Sequence, residues 1–144
     1  MSPSPLVSIV SASWNQGEYL QECINSLTCD FSHQIEHIII DNCSDDETKK
    51  VLDENPDIIK IIEPDHGQSN ALNKGFRAAR GEWVLWLNVD DFLSPGALSA
   101  MIKLLEKDGS NLDVIYGHMV FVDANSRRIK RVYQAAWRYW MTAK

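Results

Sequence analysis

The sequence predicts an α/β fold: a mostly parallel sheet flanked by helices, with a hairpin and a terminal helix at the carboxyl end. Two observations carry that expectation. Short runs rich in β-branched residues alternate four times with stretches whose apolar residues recur every three to four positions, the rhythm of parallel strands joined by crossover helices. The 144 residues, 44% hydrophobic and 24% charged, also have the length and composition of a single globular domain, taken as residues 1–144.

Residues 6–11 (LVSIVS) form the first expected strand. Residues 17–27 follow as a helix with Leu20, Cys23, Ile24 and Leu27 on one face. Residues 35–40 (IEHIII) are the second strand, ending at Asp41. Ser44 and Glu47 have capping-box spacing and open a helix through Val51 and Leu52. Residues 58–62 are the third strand. The helix over 69–80 is closed by Gly81 at a C-cap position, with Gly75 allowing close packing. Residues 82–87 are the fourth strand, and Ser94 and Pro95 supply N-cap and N1 chemistry for a helix carrying Leu98, Met101, Ile102 and Leu105. The rhythm then changes. Residues 114–122 and 128–133 flank a turn at 123–126, a hairpin pattern, and Tyr133, Trp137, Trp140 and Met141 recur beyond it at helical spacing.

The formal charge is -6, and six of the 14 Lys and Arg lie in the last 18 residues, which leaves the chain before Arg127 at -12. A general nucleic-acid binder needs a basic field, so nucleic acid is not an expected partner. Three cysteines, Cys23, Cys29 and Cys43, cannot all pair and show no zinc spacing, which fits reduced thiols in a cytoplasmic protein. The first residues have no basic and apolar signal-peptide regions, and no apolar run is long enough to cross a bilayer.

The chemistry collects at the strand ends. In an open α/β sheet, ligands bind beyond the carboxyl ends of the strands. Those ends read Ser11 to Asn15, Asp41-Asn42, Asp65-His66-Gly67 and Asn88-Val89-Asp90-Asp91. If the extended backbone continues past Leu87, Asn88 and Asp90 project to one side and Val89 to the other. That pair suits a hard cation, Mn²⁺ or Mg²⁺, bridging a diphosphate. Read alone, the two aspartates fit turn acids before a helix better than a metal site. Gly67 lets backbone approach a ligand at a helix N-terminus that favours anions, and a plain N-cap at Ser69 is the competing reading.

In order, these segments resemble glycosyltransferase family 2, inverting nucleotide-sugar transferases of GT-A (Rossmann-like) fold. The resemblance runs from Leu6 to Tyr133 through "VSIVSASWNQGEYLQECINSL", "IIIDNCSDDET" and, most specifically, "DHGQSNALNKGFRAARGEWVLWLNVDD". It implies a nucleotide-sugar donor, a UDP-sugar above all, held by Ser11, Asn15, Asp41, Asp65, Gly67, Asn73, Asn88 and Asp90. Asp41 would bond the base, Asp65 would help hold the nucleotide, and Asp90 with Asn88 would bind the metal. Asn88 stands where the family's Asp-x-Asp motif has its first acid, a departure that removes one charge from the metal site.

An inverting transfer also needs a general base for the acceptor hydroxyl. After Asp91 the acids are Glu106, Asp108, Asp113 and Asp123, none in a matching motif, so the chain reads as a donor-binding part that ends before the base. The alternatives are a binding module without turnover and a nucleotidyltransferase; the latter normally wants a basic residue in the first loop, which has none. The acceptor, a glycan, lipid or protein, is not specified by the sequence. For residues 127–144 an aromatic face packed within the protein competes with a peripheral contact to anionic lipid at the inner membrane face.

Overall fold

A computed structural model describes residues 4–132. Its packing separates a compact unit ending at Ile102 from another beginning at Lys103, and each is described by itself. In the first, β1 (Val7–Ser13), β2 (Ile35–Asp41), β3 (Ile59–Ile62) and β4 (Trp83–Trp86) form one sheet in the order β3-β2-β1-β4, parallel at every pairing. The crossovers are α1 (Gly17–Ser26), α2 (Thr48–Glu54) and α3 (Gln68–Ala78). The predicted mostly parallel α/β architecture is thus observed.

β1 is buried along its whole length because both of its faces are covered. Val10 and Ala12 join Ile38, Ile40, Ala71 and Leu72 on the α3 side, while Ile39 joins Leu20, Leu52, Ile58 and Val89 on the other. Two-sided burial explains why β2 carries the consecutive apolar run Ile38-Ile39-Ile40 rather than an alternation. Each such Ile, Leu or Val contributes roughly 1.5–3 kcal/mol. Gly75 sets the distance of α3 from the sheet: a Cβ there would lie 2.4 Å from Val10 Cγ1 and 2.5 Å from Ile40 Cδ1.

Most polar residues inside this layer are matched, although the buried hydroxyls of Ser13 and Thr48 have no hydrogen-bond partner among the described residues. Ser8 Oγ donates to Glu36 Oε1 at 2.6 Å, and Arg80 adds its amide, Nε and Nη2 to the same carboxylate at 2.8, 2.9 and 2.7 Å. Burial pushes the Glu36 carboxyl up, but the Ser8 and Arg80 hydrogen bonds and the guanidinium charge together hold it below its ordinary value. On the opposite face Ser11 Oγ lies 3.0 Å from His37 Nε2, and burial lowers the imidazole to about 4.

Several helix ends differ from expectation, each for a local reason. Ser44 does not cap α2; its amide and hydroxyl turn back onto Asp41, and Asp46 Oδ1 accepts the Thr48 amide at 2.9 Å. Gly81 is not a C-cap, since α3 ends at Ala78 and Ala79 is extended. Instead Gly81 allows close approach: its amide donates to Ser8 Oγ at 2.7 Å, and a Cβ would meet the Ser8 nitrogen at 2.5 Å. Ser94 and Pro95 precede α4 (Ala97–Asp108) instead of opening it, because Gly96 at φ 78° interrupts the helical path and Ala97 closes a turn on the Ser94 carbonyl.

In the second unit, β5 (Met119–Val122) and β6 (Arg128–Val132) make the expected antiparallel hairpin. Its turn is built by Asp123 Oδ1, which accepts the amides of Asn125 and Arg127 at 2.8 and 3.0 Å. The strand predicted from residue 114 begins only at Met119, where β6 supplies a pairing edge. The expected terminal helix with Tyr133, Trp137, Trp140 and Met141 lies outside the described residues. Among the described residues no helix is long and apolar enough to cross a membrane.

Candidate functional site

Parallel pairing puts the carboxyl ends of all four strands on one rim of the sheet. A cleft of about 360 Å³ opens there, lined by Ala12, Ser13, Trp14 and Gln16 after β1, Asn42 after β2, and Asp65, Gly67, Gln68 and Ala71 at the start of α3. A second hollow, about 450 Å³ and flanked by Leu6, Gln34, Arg80 and Glu82, lies at the amino ends of the strands, away from the predicted residues.

The loops around the cleft are braced by side chain to backbone bonds. Asn42 Oδ1 accepts the Asp65 amide at 2.8 Å, and Asp65 Oδ1 accepts the Gly67 amide at 2.7 Å. Gly67, at φ 105°, makes the bend into α3 that a residue with a Cβ would resist. Lys74 Nζ holds the Pro64 carbonyl and Glu63 from the far side. The β1 and β2 loops are laced together as well. Asn15, at φ 51°, donates its amide to Ser44 Oγ at 2.8 Å and accepts the Asp45 amide on Oδ1 at 3.0 Å. Asp46 Oδ2 accepts the Gly17 amide at 2.9 Å; burial opposes its charge, but hydrogen bonds from Thr48 and Gly17 hold its carboxyl below the usual value.

Of the predicted residues, Asp65 and Gly67 line the cleft. Asp41 is 3% exposed beneath Asn42, with both oxygens on Ser44. Asn15 shapes the neighbouring loop, Ser11 is buried against His37, and Asn73 is on the exposed side of α3. Trp14 and Asn42 lie in the strand-end segments without a role assigned from the sequence, and the Gln68 side chain has none either. The available signal for Trp14 was a large aromatic immediately past a strand end; at 64% exposure it stands at the cleft mouth.

The acidic loop departs from the extended path expected past Leu87. β4 ends at Trp86, and the Asp91 amide donates to the Asn88 carbonyl at 3.1 Å, closing a turn over Asn88–Asp91. Val89 drops into the core although the backbone has left the extended path on which that orientation was expected. α1 holds this turn from below: Cys23 Sγ donates to the Asn88 carbonyl at 3.6 Å, and Ser26 Oγ accepts the Leu93 amide at 3.1 Å. Burial first, then the charges of Asp91 and Asp90, push the Cys23 thiol up to about 12, so it stays protonated as a donor. The Asn88 side chain makes three hydrogen bonds. Its Oδ1 accepts from Gln68 Nε2 at 2.9 Å and Trp86 Nε1 at 3.0 Å, and its Nδ2 donates to Asp91 Oδ2 at 3.2 Å. Asp90 is exposed at the turn.

Among the described residues no three His, Cys, Asp or Glu side chains gather as a cation cage. A cation that takes one carboxylate from protein and the rest of its shell from diphosphate and water needs no such cage, and exposed Asp90 fits that part.

A family profile described as Glycosyl transferase family 2 matches residues 8–144. The chain belongs to that family. This family 2 chain is 31% identical over 128 residues to an uncharacterized glycosyltransferase of Nostoc sp., covering 85% of this chain and 39% of the relative. Residues 1–349 of S. aureus TarS, solved in complex with UDP-GlcNAc, superpose with a TM-score of 0.64 at 23% identity, over 72% of this chain and 32% of that one. The mannosyltransferase PcManGT of Pyrobaculum calidifontis, solved with GDP-Man and Mn2+, gives 0.61 at 23%, over 72% and 33%. These two likenesses establish the shared GT-A fold. The family 2 chain spans about two-fifths of the length of that curated relative.

Proposed function

We propose that this chain is the donor-binding domain of an inverting glycosyltransferase. The cleft takes a nucleoside-diphosphate sugar, a UDP-sugar first, and the sugar passes to an acceptor hydroxyl. One observation carries the reading: in a family 2 chain, the polar ends of parallel strands share a cleft with the N-terminus of α3. Trp14 offers a ring face to the nucleobase, with Asn42 and Asp41 at its edge. Gly67 and the positive end of α3 suit the diphosphate.

Asp90 holds a divalent cation, Mn²⁺ or Mg²⁺, in this reading. When bound, the cation stabilises charge on the diphosphate leaving group. Attack at the anomeric carbon further requires a carboxylate that takes the acceptor proton. The PcManGT complex with GDP-Man and Mn2+ and the TarS complex with UDP-GlcNAc support the donor class. Three free cysteines support a reducing, cytoplasmic setting.

Calorimetry with UDP and Mn²⁺ tests the reading. Cation-dependent binding is expected, weakened at least about tenfold by Asp90→Ala, since a charged partner of the cation is lost. Absence of heat with both UDP and GDP would refute it. A transfer or donor-hydrolysis assay then separates an enzyme from a binding module.

A further inference from the structure

We infer that Asn88 is a positioning residue that fixes Gln68 and Asp91 and does not ligate the cation, which meets this loop through Asp90. The inference rests on the proposed donor site. It starts from lone-pair counting. An amide oxygen has two acceptor sites. On Asn88 both are taken, by Gln68 Nε2 at 2.9 Å and the Trp86 indole at 3.0 Å, and the amide nitrogen is turned to Asp91 Oδ2 at 3.2 Å. A hard cation binds oxygen lone pairs at about 2.0–2.6 Å, so ligation by Asn88 would break at least one of the two N–H bonds.

The same geometry explains why this position carries Asn. Two donors must be accepted and one carboxylate must be given a proton donor. Aspartate could do the first and not the second, and would add a third acid to a turn that already holds Asp90 and Asp91. Because Gln68 lines the cleft, the bond from Asn88 makes the acidic turn and the cleft wall one rigid piece. Trp86 and the Cys23 hydrogen bond to the Asn88 carbonyl anchor that piece to β4 and α1.

The test has two readouts besides turnover. In ¹⁵N NMR of the ligand-free chain, Asn88→Ala should shift both the Trp86 indole N–H and the Gln68 side-chain amide. In binding, Asn88→Ala and Gln68→Ala should each weaken UDP at saturating Mn²⁺ about three- to tenfold, the cost of one hydrogen bond, and the double variant should lose no more than the worse single one. Mn²⁺ affinity of the UDP complex, read by electron paramagnetic resonance, should stay within about twofold for Asn88→Ala and fall at least about tenfold for Asp90→Asn. Equal loss of Mn²⁺ in the two variants, or unshifted Trp86 and Gln68 resonances, overturns the inference. A chain that binds neither UDP nor GDP brings down the donor reading and the claim about the cation together. The NMR arm then decides the hub alone.

Discussion

Replacing Gly75 with alanine tests how tightly α3 is seated. In an ordinary helix interior the change would stabilise by about 1 kcal/mol. Here the added methyl would stand 2.4 Å from Val10 Cγ1 and 2.5 Å from Ile40 Cδ1, both on fully buried residues of the sheet. Carbon contacts are optimal at about 3.5–4.0 Å, so the helix or the Val10 and Ile40 side chains must give by about 1 Å within a close-packed interface. Overpacking costs about 1–3 kcal/mol, and two simultaneous clashes put this site at the upper end. The expected net loss is about 1–2 kcal/mol. With a urea slope of about 1–3 kcal/mol/M, the unfolding midpoint should fall by about 0.3–2 M. Helix displacement carries Gly67 and Gln68 with it, so UDP affinity should fall too. Equilibrium urea unfolding followed by circular dichroism reads the first effect, with exposed Arg77→Ala as control. A Gly75→Ala chain as stable as the parent, or more so, would show that the α3 interface has slack and that the packing argument is wrong.

Three other outcomes are expected. The folded-state His37 value of about 4 lies below the ordinary 6.5, so the unfolded chain binds the proton first as pH falls. Its stabilising contribution is complete above 6.5 and declines toward about 4, by on the order of 3 kcal/mol; His37→Gln should flatten that part of the stability profile in urea titrations. Glu36 is depressed below 4.5, so its contribution is present above that value and is lost as pH falls through the folded value; Glu36→Gln should remove this acid limb and lower the melting temperature at neutral pH. Asp46→Ala leaves the Gly17 and Thr48 amides without their acceptor and should cost about 1–3 kcal/mol by urea midpoint, whereas exposed Asp45→Ala should change little.

The parallel order of strands was legible because two-sided burial writes itself into runs such as IEHIII, and the rim chemistry followed from where those runs stop. Gly75 could likewise be read as a packing glycine. What escaped the sequence depends on which of several competing partners wins, some near in the chain and some far along it. Ser44 and Glu47 have the spacing of a capping box, yet Asp41, three residues earlier, competes for the Ser44 hydroxyl and wins. Gly81 sits where a C-cap glycine belongs, but its reason is the backbone of Ser8 on β1. The bond that Asn88 Oδ1 accepts from Gln68, twenty residues away, has no signal in the neighbouring sequence. Trp14 was visible in the first loop, but nothing local distinguishes an aromatic at a cleft mouth from one turned inward.

The placement of β1 has a consequence for synthesis. It leaves the ribosome before the other three strands, yet it ends up between β2 and β4, and its second edge stays open until Trp83 to Trp86 have been made. During that interval the nascent chain presents unpaired backbone flanked by Val7, Ile9 and Val10, a template for the wrong neighbour. Ser8, Ser11 and Ser13 interrupt that run, and a chain with valine at all three would be expected to aggregate before β4 arrives.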